Sequence, residues 1–318
     1  MLRSGLLRLS RSQSARRLAE SKAARQAARR FVAGPRVADA LTAVHQLRQK
    51  GLFTTLDHLG ENVTRLEDAE VATQAYLSLV EALAHSGLPS NASLKLTQLG
   101  LRLDRDACAA HLRRIAQRAA ELHMFLRVDM EDSPAVDPTL GICRTLRAEG
   151  FANLGVVLQA YLYRSQDDLD RLLGEGFRVR LVKGAYQEDE SVAFQSKAQV
   201  DANFDRLARH LLQFAQRFPD SSGSGDGKVP PIAAIATHDE QRIALAEGHA
   251  RELRLPQTAL EFQMLFGIRS DLQVDLAAKG YPTRVYVPYG TEWFPYFMRR
   301  LAERPANLGF LLRNLVRL

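Results

Sequence analysis

At 318 residues, with 46% hydrophobic and 25% charged residues, the chain can bury a large core and has an ordinary soluble composition. No apolar run approaches the ~20 residues that cross a bilayer, and two cysteines without metal-ligand spacing argue for reduced thiols rather than a disulfide framework. The net charge of +7 sits in the head: residues 1–30 hold nine Lys or Arg against one acid, Glu20, which leaves −1 for the remainder. Such a head reads as a solvated basic helix, an organelle transit segment, or an amphipathic helix that lies on anionic lipid or docks on the barrel. The body has no basic stripe interleaved with aromatics, so nucleic acid is not an expected partner.

Past the head, residues 36–50 predict a short helix ended by Gly51. Then short apolar runs alternate with amphipathic stretches to the end of the chain. The runs fall at 54–61, 93–99, 125–131, 154–162, 178–186, 230–238, 260–267 and 284–290. Between them, helical patterns cover 66–85 (with Val71, Tyr76, Leu79 and Leu83 near helical spacing), 104–124, 136–149, 166–173, 197–217, 239–254 and 268–279. Several helices are expected to end in a left-handed cap at glycine, as at Gly150, Gly174 and Gly280. Eight strand–helix repeats predict a parallel sheet closed as a (β/α)8 barrel. An open doubly wound sheet is the alternative, but no G-x-G-x-x-G follows the first run. The Gly-rich SSGSGDGK at 221–228 lacks the P-loop pattern and reads as a flexible surface connector.

In a barrel of this kind, reactive groups stand at the C-terminal ends of the strands. Those ends carry Glu61, Lys95, Thr97, Asp129, Glu131, Gln159, Arg180, Lys183, Thr237, His238, Gln263, Tyr286 and Tyr289. Each alone has a plain structural explanation: His238 as a core histidine with a backbone partner, Lys95 and Asp129 as mutual neutralisers, Arg180 and Lys183 as internal ion pairs. Together they predict a ligand with several hydrogen-bonding groups. In TEWFPYFMRRLAE at 291–303, helical spacing puts Tyr296, Arg299, Arg300 and Glu303 on one face. Glu303 is placed to hold both guanidinium groups for bidentate capture of a carboxylate or phosphate. Metal catalysis is disfavoured, because eight scattered histidines form no HxH or HxxxH pair.

The ordered set SLKLTQLGL, RVDMEDSP, VVLQAYLYR, RLVKGAY, ATHDEQ, EFQMLFG, RVYVPYG and YFMRRLAERP resembles the flavin-dependent proline dehydrogenases, in their short monofunctional bacterial form, from about Val32 onward. The resemblance implies a distorted (β/α)8 TIM-like barrel with extra N-terminal helices, organised as a basic segment at 1–33 and a catalytic domain at 34–318. It implies FAD as cofactor and oxidation of L-proline to Δ1-pyrroline-5-carboxylate by hydride transfer from proline C5 to flavin N5. A membrane quinone would take the electrons and a separate pyrroline-5-carboxylate dehydrogenase the product. Flavin contacts would be Met130, Gln159, Arg180, Lys183, Gly184, Ala185, Thr237 and His238. Substrate contacts would be Lys95, Asp129, Tyr186, Leu265, Tyr286, Tyr296, Arg299 and Arg300, with Asp129 and Arg180 closest to the chemistry. The implied localisation is cytoplasmic, with the basic head touching the inner face of the cytoplasmic membrane. Departures from the family pattern are Ala160 where many relatives have Ser, His58 within the first strand's motif, a longer 219–231 connector and a more basic head.

Two rival readings use the same residues. A Schiff-base aldolase would use Lys183 as nucleophile with the arginine pair on a substrate phosphate. A non-catalytic binding barrel with a basic arm would turn nothing over.

Overall fold

The computed structural model describes residue 26 and residues 28–218 and 221–303. A first helix, α1 (Val37–Arg48), precedes the barrel. Strand–helix units then follow: β1 (Phe53–His58) and α2 (Leu66–Ser86), β2 (Ser90–Leu94) and α3 (Arg105–Glu121), β3 (Leu126–Val128) and α4 (Ser133–Ala148), β4 (Leu154–Gln159) and α5 (Ser165–Gly174). The second half repeats them: β5 (Arg178–Val182) and α6 (Lys197–Arg217), β6 (Ala233–Ala236) and α7 (Glu240–Glu252), β7 (Leu260–Leu265) and α8 (Ser270–Ala278), β8 (Thr283–Tyr289) and α9 (Trp293–Glu303). The strands form a closed barrel in sequence order, parallel throughout, with β1 returning to β8 so that His58 stands opposite Tyr289.

The helices form where the sequence buries one stripe. On α3, Cys108, Leu112, Ile115 and Ala119 are buried, and the Asp104 carboxylate caps the helix by accepting from the N–H groups of Asp106 and Ala107. Cys108 on α3 and Cys143 on α4 are free thiols, both buried. The strands bury both faces, as parallel strands under helices must. Their outward residues, such as Val179, Leu181, Ile235 and Phe262, pack against the helices.

Three local expectations differ from the fold. Strand β2 is Ser90–Leu94, and the 93–99 run spans its end and a 3-10 turn at Leu96–Leu99. The polar face of SNASL hides the strand, because Asn91 and Ser93 point into a polar barrel interior. Gly174 is the last residue of α5, and the left-handed position belongs to Gly176 (φ 74°). Val71 is 68% exposed rather than part of the α2 core stripe.

The connector before β6 is gripped, not loose. Arg284 Nη2 donates to the Gly227 carbonyl (2.7 Å), Asn91 Nδ2 to that of Lys228 (3.1 Å), and Arg178 Nη1 to that of Pro230 (2.8 Å). These donors lie toward the N-terminal ends of β8, β2 and β5, so the segment closes that end of the barrel. Gly227 adopts φ +72°, and a Cβ there would lie 2.2 Å from the Phe53 ring. Gly227→Ala should therefore destabilise the fold by about 1–3 kcal/mol, from left-handed strain and overpacking. Urea denaturation midpoints check this; an unchanged midpoint would mean the plug adds nothing to stability.

Candidate active site

The barrel interior carries a continuous polar network where such barrels usually stack Val, Ile and Leu. Asp129, just past β3, is its hub. One carboxylate oxygen accepts from Arg180 Nη1 (2.8 Å); the other accepts from Lys95 Nζ (3.2 Å) and from the Tyr286 hydroxyl (2.6 Å). Each nitrogen of Arg180 has a partner: besides the Nη1 bond, its Nε donates to Gln263 Oε1 (2.5 Å) and its Nη2 to Ser93 Oγ (3.0 Å). Lys95, which follows β2, also reaches Asp57 on β1 (3.1 Å) and the Tyr286 hydroxyl (3.1 Å). Burial alone would lower the Lys95 pKa, but Asp57 and Asp129 outweigh it and hold the ammonium well above its ordinary value. Burial and the Asp129 charge together push the Tyr286 phenol far up, so this hydroxyl stays a donor.

Above this network lies a cavity of about 350 Å³, within the ~300–1,000 Å³ typical of small-molecule sites. All sixteen residues expected to touch flavin or substrate line it. Helix α9 forms one wall. Arg299 pairs with Glu61 in the loop after β1 (2.7 Å) and lies over the Tyr186 ring. Arg300 is buried, its guanidinium 4.9 Å from the Tyr296 ring centroid. The expected holder of this pair, Glu303, has its side chain outside the described residues; Glu61 is the carboxylate on Arg299.

The opposite side is formed by Met130, Gln159, Lys183 to Ala185, Thr237 and His238. His238 Nε2 accepts from the Leu265 N–H (2.9 Å), so in the neutral ring Nδ1 carries the proton. Lys183 lies between Asp201 (2.5 Å) and Asp239 (2.7 Å). Its amine is thus engaged by two carboxylates, the opposite of the apolar pocket that frees a lysine as a nucleophile.

Sequence reasoning missed the partners rather than the principals. Asp57, Asp201 and Asp239 are respectively 38, 18 and 56 residues from the lysines they hold. Asp57 had one readable signal, an acid next to the end of the first strand, FTTLDH. Asp201 lies inside the helix KAQVDANF and looks like solvated polarity until Lys183 is brought beside it.

An eight-stranded parallel barrel with a cation-lined cavity at its strand ends is built for an anionic or electron-rich ligand, and its class is the barrel enzymes. The proline dehydrogenase family profile matches residues 40–313. Proline dehydrogenase 1 of Bacillus subtilis (strain 168) is 40% identical over 317 residues, covering 100% of both chains. Proline dehydrogenase of Deinococcus radiodurans is 39% identical, over 91% of this chain and 90% of that one. A crystal structure of proline utilization A from Bdellovibrio bacteriovorus, inactivated by N-propargylglycine, matches with TM-score 0.76 at 27% identity, over 87% of this chain; this chain spans 32% of that longer one.

The chain belongs to the proline dehydrogenase family. It is an oxidoreductase that oxidises proline with FAD as cofactor, which sets the aldolase reading aside. The residues present fit a flavin: Gln159 is 2% exposed, lines the cavity, and leaves its buried Oε1 without a hydrogen-bond partner among the described residues. Such an oxygen is an acceptor for a ring N–H, and buried polar atoms are rarely left unmet.

Glu131 braces the turns that follow β1 and β2. Its carboxylate accepts from the Thr97 N–H (3.0 Å) and hydroxyl (2.5 Å), and Thr97 Oγ1 accepts from the Asn62 N–H beside Glu61. Burial pushes its pKa up to about 7, against the two Thr97 hydrogen bonds. An acid raised in the folded state stabilises the fold below its unfolded value of 4.5, and that contribution is lost as pH rises to about 7. Stability should therefore decline over this window by roughly 1–3 kcal/mol on account of Glu131. Glu131→Gln should flatten the decline in urea midpoints measured from pH 4.5 to 8; an equal slope in both proteins would contradict the assignment.

Proposed function

We propose that the enzyme converts L-proline to Δ1-pyrroline-5-carboxylate within this cavity, with Arg299, Arg300 and Lys95 anchoring the substrate carboxylate. The observation that carries this reading is the gathering of Lys95, Arg299 and Arg300 with one apolar wall on a single cavity. Two guanidinium groups on adjacent residues of α9 suit an anion, since charge-assisted bonds to a carboxylate are the stronger kind. Arg299 would exchange or share its bond to Glu61 when the carboxylate arrives. Tyr286, Tyr296 and Leu265 close around the ring methylenes, and Tyr186 under Arg299 keeps that guanidinium in place.

FAD, when bound, supplies the two-electron acceptor for the hydride that proline gives up as its C5–N bond becomes double. Gln159, Lys183, Gly184, Ala185, Thr237, His238 and Met130 are the residues that would hold it. Arg180 brings a fixed positive charge to the cavity, where it favours developing negative charge without reorganisation. Asp129 already accepts from three donors, so its role is to hold Arg180, Lys95 and Tyr286 in register rather than to take a proton. Orientation of this kind recovers roughly 7–11 kcal/mol in well-aligned reactions.

Residues 34–318 are read as the catalytic domain and 1–33 as a basic arm that contacts anionic lipid on the inner face of the membrane, near the quinone that takes the electrons. A separate pyrroline-5-carboxylate dehydrogenase would take the product. Among the described residues no helix is long and apolar enough to cross a membrane. Residues 1–25 lie outside the described residues. Ala28, Phe31 and Val32 pack with Phe297 and Met298 of α9, so a clean truncation stops at residue 25.

Arg299→Met should raise KM for proline about 10- to 150-fold, the equivalent of ~1.5–3 kcal/mol of charge-assisted binding, in anaerobic assays with an artificial acceptor. Unchanged proline kinetics would remove Arg299 from the site. Deleting residues 1–25 should leave that turnover intact while weakening sedimentation with anionic vesicles. Equal vesicle binding by both forms would reject the membrane role.

A further inference from the structure

We infer that Glu261, Gln263 and Arg284 form a positioning relay that fixes how Arg180 presents its charge to the cavity. This rests on the reading of Arg180 as the cation that favours reduced flavin.

The relay runs up the inside of β7. Glu261 Oε1 accepts from Arg284 Nε (2.8 Å) and from Gln263 Nε2 (2.5 Å), while Oε2 accepts from Arg284 Nη2 (2.9 Å). Gln263 Oε1 then accepts from Arg180 Nε. All four side chains are at most 5% exposed, so water is not there to replace a lost partner.

Chemistry leaves the Gln263 amide one orientation. A carboxylate only accepts and a guanidinium only donates. The amide must therefore give its NH2 to Glu261 and its carbonyl to Arg180. If Glu261 were absent, the amide NH2 would lose its acceptor, and Arg180 alone would be left to hold the amide in this orientation. A flip sets NH2 against Arg180 Nε, donor against donor, and the guanidinium would have to turn away from the geometry that also serves Asp129 and Ser93. Glu261 thus acts on Arg180 at one remove.

Arg284 fixes Glu261 in turn. Besides its paired bonds to that carboxylate, it donates to the carbonyls of Thr54 (2.6 Å) and Gly227 (2.7 Å). The pair is buried at 0–1% exposure, where an unpaired charge is strongly unfavourable but loss of both partners together is tolerated. The lower half of the barrel therefore does more than fill space. It transmits a fixed orientation from the closed end to the arginine at the cavity floor.

The test uses the flavin-loaded full chain and reads the midpoint potential of the bound flavin alongside kcat and KM. Three variants are compared: Gln263→Met, the paired Glu261→Met/Arg284→Met, and Arg180→Met as reference. The relay predicts that the first two lower the preference for reduced flavin about tenfold, a fall of about 30 mV for a two-electron couple. They should also lower kcat while moving KM for proline less than twofold, since the carboxylate anchor is untouched. An unchanged potential in both, with Arg180→Met lowered, overturns the relay. An unchanged potential in Arg180→Met itself overturns the reading of Arg180 instead. Should the paired variant fail to fold, Gln263→Met decides, because it removes no charge.

Discussion

One carboxylate organises this barrel. Asp129 takes Arg180 on one oxygen and Lys95 with Tyr286 on the other, so the residue read as flavin-facing and those read as substrate-facing share a single acceptor. In a low-dielectric interior such a shared bond is stiff. The three donors share the density of one carboxylate, so moving one disturbs the others. The residues read as facing flavin and those read as facing substrate are therefore held to a common reference point.

That arrangement costs stability, and the remainder of the fold offsets it. Desolvating a charge is expensive, and buried pairs seldom do better than a hydrophobic core of the same shape. Here the interior holds Asp57, Lys95, Asp129, Arg180, Glu261 and Arg284, all at most 9% exposed. Arg127 has no carboxylate bonded to it among the described residues. It donates to the backbone carbonyls of Val156 and Arg178 and lies 4.9 Å from the Phe125 ring, and burial and the Arg180 charge pull its pKa far down. The compensation comes from outside the sheet, where the outward strand residues and the inner helix faces form one continuous apolar layer. A barrel with a charged inside and an oily jacket can keep its interior for chemistry.

The large features were legible for a physical reason. Strand–helix alternation leaves a periodic apolar trace, and strand ends in a parallel barrel fall at one rim. RLVKGAY and YFMRRLAERP therefore pointed to one place, and Arg180, Lys183 to Tyr186, Tyr296, Arg299 and Arg300 do line one cavity. What stayed hidden was pairing. Asp201 in mid-helix and Asp57 in β1 acquire meaning only when Lys183 and Lys95 are brought against them. The polar interior hid β2 as well, since SNASL lacks the apolar alternation that marks a strand. The 221–228 segment shows the reverse error: Gly and Ser suggested looseness, whereas Gly227 is there because only a glycine fits between the Phe53 ring and the Arg284 guanidinium.

The claim that one acid ties both halves of the site together is tested by Asp129→Asn, loaded with FAD and titrated anaerobically with L-proline while the flavin absorption is followed. The account predicts a joint failure: more proline is needed to reach saturation, and the flavin is less fully reduced at saturation. Bleaching as complete as in the unmodified enzyme, at the same proline concentrations, would contradict it.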